Sequence, residues 1–149
     1  MGFIMANRSK IYTKEFMGKF NDVHQKATGK EIKAGGYPDT GNGWYSRELP
    51  YEQWLEFNNR QRAHANFVEW IASNIALILI GGLYFPIVCA CLGLGVAVSR
   101  ILYAVGYAMG GANHPIRTIG AVANDLVTLA TIVFAVWSCI KWMNQTPFA

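Results

Sequence analysis

The chain has 149 residues, 52% of them hydrophobic and 15% charged, with a formal net charge of +4, and that length fits one domain. Ten of the thirteen Lys/Arg and seven of the nine acids fall before residue 66. The positive balance therefore describes a polar segment joined to one that needs lipid as its solvent, and it is no signal for nucleic acid. Three cysteines, Cys89, Cys91 and Cys139, lie in apolar runs, an odd count without ligand spacing, which argues against a disulfide framework or a zinc site. They read as packing residues, with palmitoylation or a redox role as the alternative.

Residues 1–65 are expected to form a polar N-terminal arm. Ile4, Tyr12, Phe16, Phe20 and Val23 fall near one helical face, with Lys10, Lys14 and Lys19 elsewhere, the pattern of an interfacial amphipathic helix. A mitochondrial presequence is the rival, against which Glu15 and Asp22 count. The run 34–46, AGGYPDTGNGWYS, is a loop by its Gly, Pro, Asn and Asp content.

Residues 66–149 are expected to form the transmembrane domain. A hydrocarbon core about 30 Å thick takes roughly 20 apolar residues in a helix. Three stretches suffice: Phe67 to Phe85, Ile87 to Met109 and Ile116 to Ile140. The uncharged Tyr84-Phe85-Pro86 turn implies a tight hairpin, and Gly110 to Pro115 reads as a loop. The side carrying nearly all the Lys/Arg should face the cytoplasm or an equivalent space. Tyr84, Phe85, Trp137 and Trp142 make a plausible aromatic belt opposite. Gly93-x-x-x-Ala97 and Gly106-x-x-x-Gly110 are small-residue pairs that permit close helix packing.

Ionisable groups within a bilayer are costly and need a reason. Arg62, Asn66 and Glu69 sit at i, i+4 and i+7, on one helix face. Arg100, Tyr103 and Tyr107 do the same at i, i+3 and i+7, and Arg117 opens the third span on the same membrane side. Together they could line a pocket for a small zwitterion, with arginine gripping a carboxylate and Glu69 accepting from an ammonium. The alternative is snorkelling arginines and an Arg62–Glu69 association within the helix; Arg100, deeper in its span, reads as structural. Asp125 reads as part of an interhelical hydrogen-bond network or as a carboxyl kept neutral by desolvation, with a proton or ion path as the alternative. His64 and His114 read as interfacial, and no metal site is expected.

The run Arg62-Ala63-His64-Ala65-Asn66-Phe67-Val68-Glu69 resembles the signature R-A-H-x-N-x-x-E of the MAPEG family, the membrane-associated proteins of eicosanoid and glutathione metabolism. Arg100-Ile101-Leu102-Tyr103-Ala104-Val105-Gly106-Tyr107 is similar to that family's R-x-x-Y-x-x-G-Y motif. The upstream Gly36-Tyr37-Pro38-Asp39-Thr40-Gly41-Asn42-Gly43 resembles a loop of a microbial and protist branch. Trp70 stands where family enzymes usually have tyrosine, and Ile71-Ala72 where a proline is common. No apolar stretch before the arm is long enough for the first family helix. The fold expected is thus all-α: an integral membrane helical bundle of MAPEG type, with three clear spans and the first family helix missing or truncated.

The resemblance implies a homotrimer with glutathione as co-substrate at the subunit interfaces. Arg62, Asn66, Glu69, Tyr103 and Tyr107 would bind it, and Arg117 would be the catalytic residue that stabilises its thiolate. The function expected is a glutathione-dependent transferase or peroxidase for lipophilic electrophiles or lipid hydroperoxides, in the endoplasmic reticulum or mitochondrial membrane. The competing reading is a non-catalytic accessory subunit of a large membrane complex, such as a mitochondrial respiratory assembly. A channel or proton carrier centred on Asp125 is a third.

Overall fold

A computed structural model describes residues 8–145. It divides into two compact units, 1–64 and 65–149. All regular structure among the described residues is helical: residues 8–11 are helical, followed by α1 (Lys14–Gly18), α2 (Asn21–Thr28), α3 (Tyr51–Gly82), α4 (Pro86–Gly110) and α5 (Pro115–Gln145). Helix α3 begins in the first unit and continues through the second. Short 3₁₀ turns lie at Ser46–Glu48 and Gly111–Asn113.

In the first unit, the stretch whose apolar residues share a helical face is broken into pieces. The Thr13 hydroxyl accepts from Phe16 N–H at 3.1 Å and so starts α1 afresh, while Gly29 ends α2 in the left-handed region. Tyr12 is wholly buried in a cluster with Ile11, Met17, Leu49 and Phe57, whereas Val23 is 59% exposed. Ile4 lies outside the described residues. The Tyr12 and Phe57 rings meet edge to face at 5.3 Å, and the Arg8 guanidinium lies over both.

The Gly/Pro-rich run is an ordered loop wound around one carboxylate. Asp39 Oδ1 accepts from the N–H groups of Gly41 (2.7 Å) and Gly43 (3.0 Å), and Oδ2 accepts from Ser46 N–H (2.7 Å). Two α3 side chains hold the loop from below: Trp54 Nε1 and Asn58 Nδ2 both donate to Gly41 O. Burial pushes the Asp39 carboxyl up, but the three backbone donors and the Ser46 hydroxyl outweigh it and hold it below the usual range.

The second unit contains the apolar parts of the three helices that, among the described residues, are long and apolar enough to cross a membrane. The first of them starts at Tyr51, well ahead of its apolar stretch. Residues 51–66 are polar but hold no Gly or Pro and consist mostly of residues that tolerate a helix, so nothing interrupts it. Residues 83–85 turn α3 into α4, and Pro86 at the first position of α4 lacks only a donor that would be unpaired there. At this end Phe85 packs on Phe134 and Trp137, and the Tyr84 hydroxyl donates to Gln145 Oε1 at 2.6 Å.

Helix α5 turns a stripe of small and polar residues inward: Gly120, Asn124, Thr128, Thr131, Ala135 and Ser138. Their spacing follows the helical repeat. Thr128 Oγ1 donates to Asn74 Oδ1 (3.3 Å) and Ser138 Oγ to Gly81 O (2.8 Å), so both tie α5 to α3. The outward faces are mostly apolar, with Leu79, Leu94, Ile101 and Leu126 each more than 60% exposed.

Candidate functional site

The site is set by where α4 and α5 touch. At Gly106 a Cβ would run into the Arg117 backbone, and at Gly120 it would run into the backbone of Tyr103 and Ser99. These two glycines let the helix backbones approach at reciprocal positions near the Gly111–Asn113 turn. The close approach carries the Arg117 side chain across the inner face of α4. Its guanidinium carbon lies 5.2 Å from the Tyr103 ring centre and 5.5 Å from that of Tyr107.

The two tyrosines, four residues apart and therefore neighbours on α4, have ring centres 5.1 Å apart. Both are buried, at 7% and 6% exposure. The guanidinium carbon of Arg100, one turn earlier, lies 6.0 Å from the Tyr103 ring centre. Cation, phenol, phenol and cation thus form one cluster running inward from the end of α4. Two of its donors, Arg117 Nε and Arg100 Nη2, are buried with no hydrogen-bond partner among the described residues. Buried guanidinium donors left open in this way suit an anionic group such as a carboxylate or a thiolate.

Of the residues singled out in the sequence, the structure brings together Tyr103, Tyr107 and Arg117. Asn66 and Glu69 lie on α3 in the second unit, Asn66 half-buried and Glu69 exposed. Among the described residues no ion pair ties Glu69 to the α4–α5 cluster. Arg62 is exposed and belongs to the first unit. Arg100 joins the cluster as a direct neighbour of Tyr103. His114 serves the backbone, its Nδ1 accepting from Ile116 N–H at 3.3 Å at the start of α5. Cys89 is buried, and Cys91 and Cys139 are exposed, all three as free thiols.

Sequence reasoning did not single out Gly120 or Asn74. For Gly120 the signal was its place three residues, about one turn, past Arg117. For Asn74 it was an amide inside an apolar stretch, the same anomaly that drew attention to Asp125. The two differ in outcome: Asn74 is 4% exposed and takes the Thr128 hydrogen bond, whereas Asp125 is exposed and outside that network.

Three apolar helices with polar groups turned inward define an integral membrane helical bundle. The MAPEG family profile matches residues 20–137, and the chain belongs to that family. No solved structure matches it. Family membership brings glutathione with it as the molecule these proteins use, and a glutathione-related transferase or peroxidase type of function in general.

Proposed function

We propose that the protein is a membrane glutathione-dependent transferase or peroxidase acting on lipophilic electrophiles or lipid hydroperoxides, with Arg117 as its catalytic residue. One observation carries this reading: Arg117 is held by a glycine-mediated helix contact, stacked on two buried phenols, with Nε unpartnered. Glutathione supplies a thiol, which is a poor nucleophile near its usual pKa of about 9 and a good one as the thiolate. A guanidinium fixed beside it favours the anion, and each pKa unit so gained corresponds to about 1.36 kcal/mol. Tyr103 and Tyr107 orient the guanidinium and exclude water from its inner side. Asn66 and Glu69 on α3, with Arg62, are assigned to the charged ends of the tripeptide. A homotrimer, in the endoplasmic reticulum or a mitochondrial membrane, is part of this reading.

The test is turnover by the purified full chain with glutathione and an electrophile or a lipid hydroperoxide. Arg117→Ala should lower kcat by roughly a hundredfold or more, the scale of losing a charge stabiliser at the reacting atom. Arg62→Ala should chiefly raise KM for glutathione. Absence of both turnover and a glutathione-dependent thermal shift would end the proposal.

One observation favours a second reading. Tyr103 and Tyr107 are so far buried against Arg117 that the cluster serves packing as well as it serves a ligand. A non-catalytic accessory subunit of a larger membrane assembly needs no more. Native size in mild detergent separates the two: a homotrimer supports the enzyme, a particle many times larger the subunit.

A further inference from the structure

Helices α3 and α4 leave a groove between them that the glutathione reading does not use. They run antiparallel from the turn at residues 83–85, and at Gly93 a Cβ would meet Ile78 Cδ1 at 3.4 Å. Around that contact lies a cavity of about 210 Å³, whose lining includes Ile71, Ile75 and Ile78 of α3 with Gly93, Val96 and Arg100 of α4. Ile71 and Ile75 are exposed, so the groove opens sideways to the surrounding lipid. Asn66 and Glu69 lie on roughly the opposite face of α3, and subunit contacts made there do not cover the groove.

Arg100 is the one charged side chain in that lining. Its Nη2 is buried without a hydrogen-bond partner among the described residues. Asp125 acts on it electrostatically across the α4–α5 contact, but no ion pair closes between them among the described residues. A guanidinium left so in an apolar groove is costly, and an anion brought to it offsets the cost. Depth limits which anion fits. Seven residues on from Gly93 along α4, and seven back from Ile78 along α3, Arg100 comes level with Ile71. Ile71 is four residues, about 6 Å, inside Phe67, where the apolar run of α3 begins. An arginine at that depth reaches lipid headgroups, while Ile75, Ile78 and Gly93 lie deeper, among acyl chains.

We propose that this groove holds one acyl chain of an anionic amphiphile, its headgroup on the Arg100 guanidinium and its tail running inward past Ile75 to Ile78 and Gly93. The headgroup is a carboxylate or a phosphate, that of a free fatty acid or of an anionic phospholipid. Charge complementarity and size identify the occupant. An uncharged lipid leaves the guanidinium without a counter-charge, and a slot of about 210 Å³ takes an alkyl chain but no helix, whose diameter with side chains is about 10–12 Å. The site is independent of whether the chain turns over glutathione, because Arg100 has no assigned part in that chemistry.

The test is photolabelling of the full chain in phosphatidylcholine nanodiscs with three probes that share one diazirine-bearing chain: a fatty acid, a phosphatidylglycerol and a fatty alcohol. The expected result is adducts on residues 71–78 of α3 and 93–97 of α4 from the acid, the phosphatidylglycerol or both, and roughly tenfold fewer from the alcohol. Whichever anionic probe labels names the headgroup. Arg100→Gln should cut that labelling roughly tenfold, the scale of one charge-assisted contact. Asp125→Asn should raise it, since it removes the charge that competes with the anion. Ile75→Trp, which fills the slot and leaves Arg100 in place, should lower it. Equal labelling by the alcohol, adducts confined to other residues, or labelling that Arg100→Gln leaves unchanged would overturn the proposal. So would a benzophenone at Ile75 that captures a second copy in place of lipid. The comparison of acid with alcohol on the unaltered chain decides the matter even if Arg100→Gln fails to accumulate.

Discussion

The two units are built on opposite plans. The first buries aromatic and aliphatic side chains, Tyr12, Phe57, Met17 and Leu49, and leaves its lysines outside. The second buries Gly120, Asn124, Thr128, Thr131 and Ser138 and leaves its leucines and isoleucines outside. In water, removing apolar surface drives folding. In lipid that force is absent between helices, and close contact plus hydrogen bonding take over. One chain therefore shows how the solvent decides which side chains count as a core.

The largest effect expected from breaking this contrast is in the first unit. Phe57→Ala removes a ring that is 0% exposed and touches Tyr12. It should destabilise that unit by about 3–5 kcal/mol, read as faster amide exchange around residues 11–17 and 39–46. A cavity of equal size on the outer face of the second unit has no counterpart, because Leu94→Ala there exchanges one lipid contact for another. Next in size is Gly106→Ala. A methyl at that position meets the Arg117 backbone, which cannot swing aside as a side chain would. Overpacking of this kind costs about 1–3 kcal/mol. It should lower the melting temperature in detergent and, by displacing Arg117, reduce any glutathione turnover further than the loss of stability explains. Unchanged melting would mean that the helices do not touch at Gly106.

The same contrast explains what the sequence revealed. The membrane helices were legible because three long apolar runs have few other uses, and the polar residues inside them stood out by their cost. Tyr103, Tyr107 and Arg117 could be placed at one level by spacing alone. The true start of α3 could not, because an apolar window detects lipid and is blind to helix, and residues 51–66 are polar. Nor could the face of Asp125 be read, since a one-residue step from Asn124 to Asp125 turns a side chain from the bundle interior to its outside. In the first unit, periodicity suggested one helical face where Thr13 in fact starts a new helix. The loop's organiser was visible in principle: Asp39 with Gly41 two residues on is an Asx-turn pattern.

That loop gives a smaller, pH-dependent effect confined to the first unit. Asp39 titrates below its unfolded value, so its contribution to stability is complete at neutral pH. It is lost as pH falls below the ordinary carboxylate range and through the folded pKa. Asp39→Asn removes the charge and one of the two acceptor oxygens, and should cost about 1–3 kcal/mol at neutral pH while flattening the acid limb. Tyr12 marks the other limb. Burial first, then the Asp39 charge, push its phenol up to about 12. Stability from keeping it neutral is whole below pH 10 and declines as pH rises towards 12. Hydrogen exchange of residues 39–46 across both limits measures each slope, and an acid limb unchanged in Asp39→Asn would remove the carboxylate from the account.

The smallest effect tests the second unit's plan most directly. Thr128→Val keeps shape and removes only the hydroxyl that donates to Asn74 Oδ1 at 3.3 Å, a long bond. In water, stranding an amide that is 4% exposed would cost the full desolvation of that group. In a bilayer the separated helices already lack water, and Asn74 finds other partners there, so the loss should be about 0.6 kcal/mol. Ser138→Ala, which frees Gly81 O from a 2.8 Å bond, should fall in the same range. The two should add, because the sites are more than two turns apart on α5. Unfolding measured in bilayer-like discs should therefore barely separate either variant from the parent. A loss as large as that from Phe57→Ala would mean that hydrogen bonds, rather than the glycine contacts at Gly106 and Gly120, hold the membrane helices together.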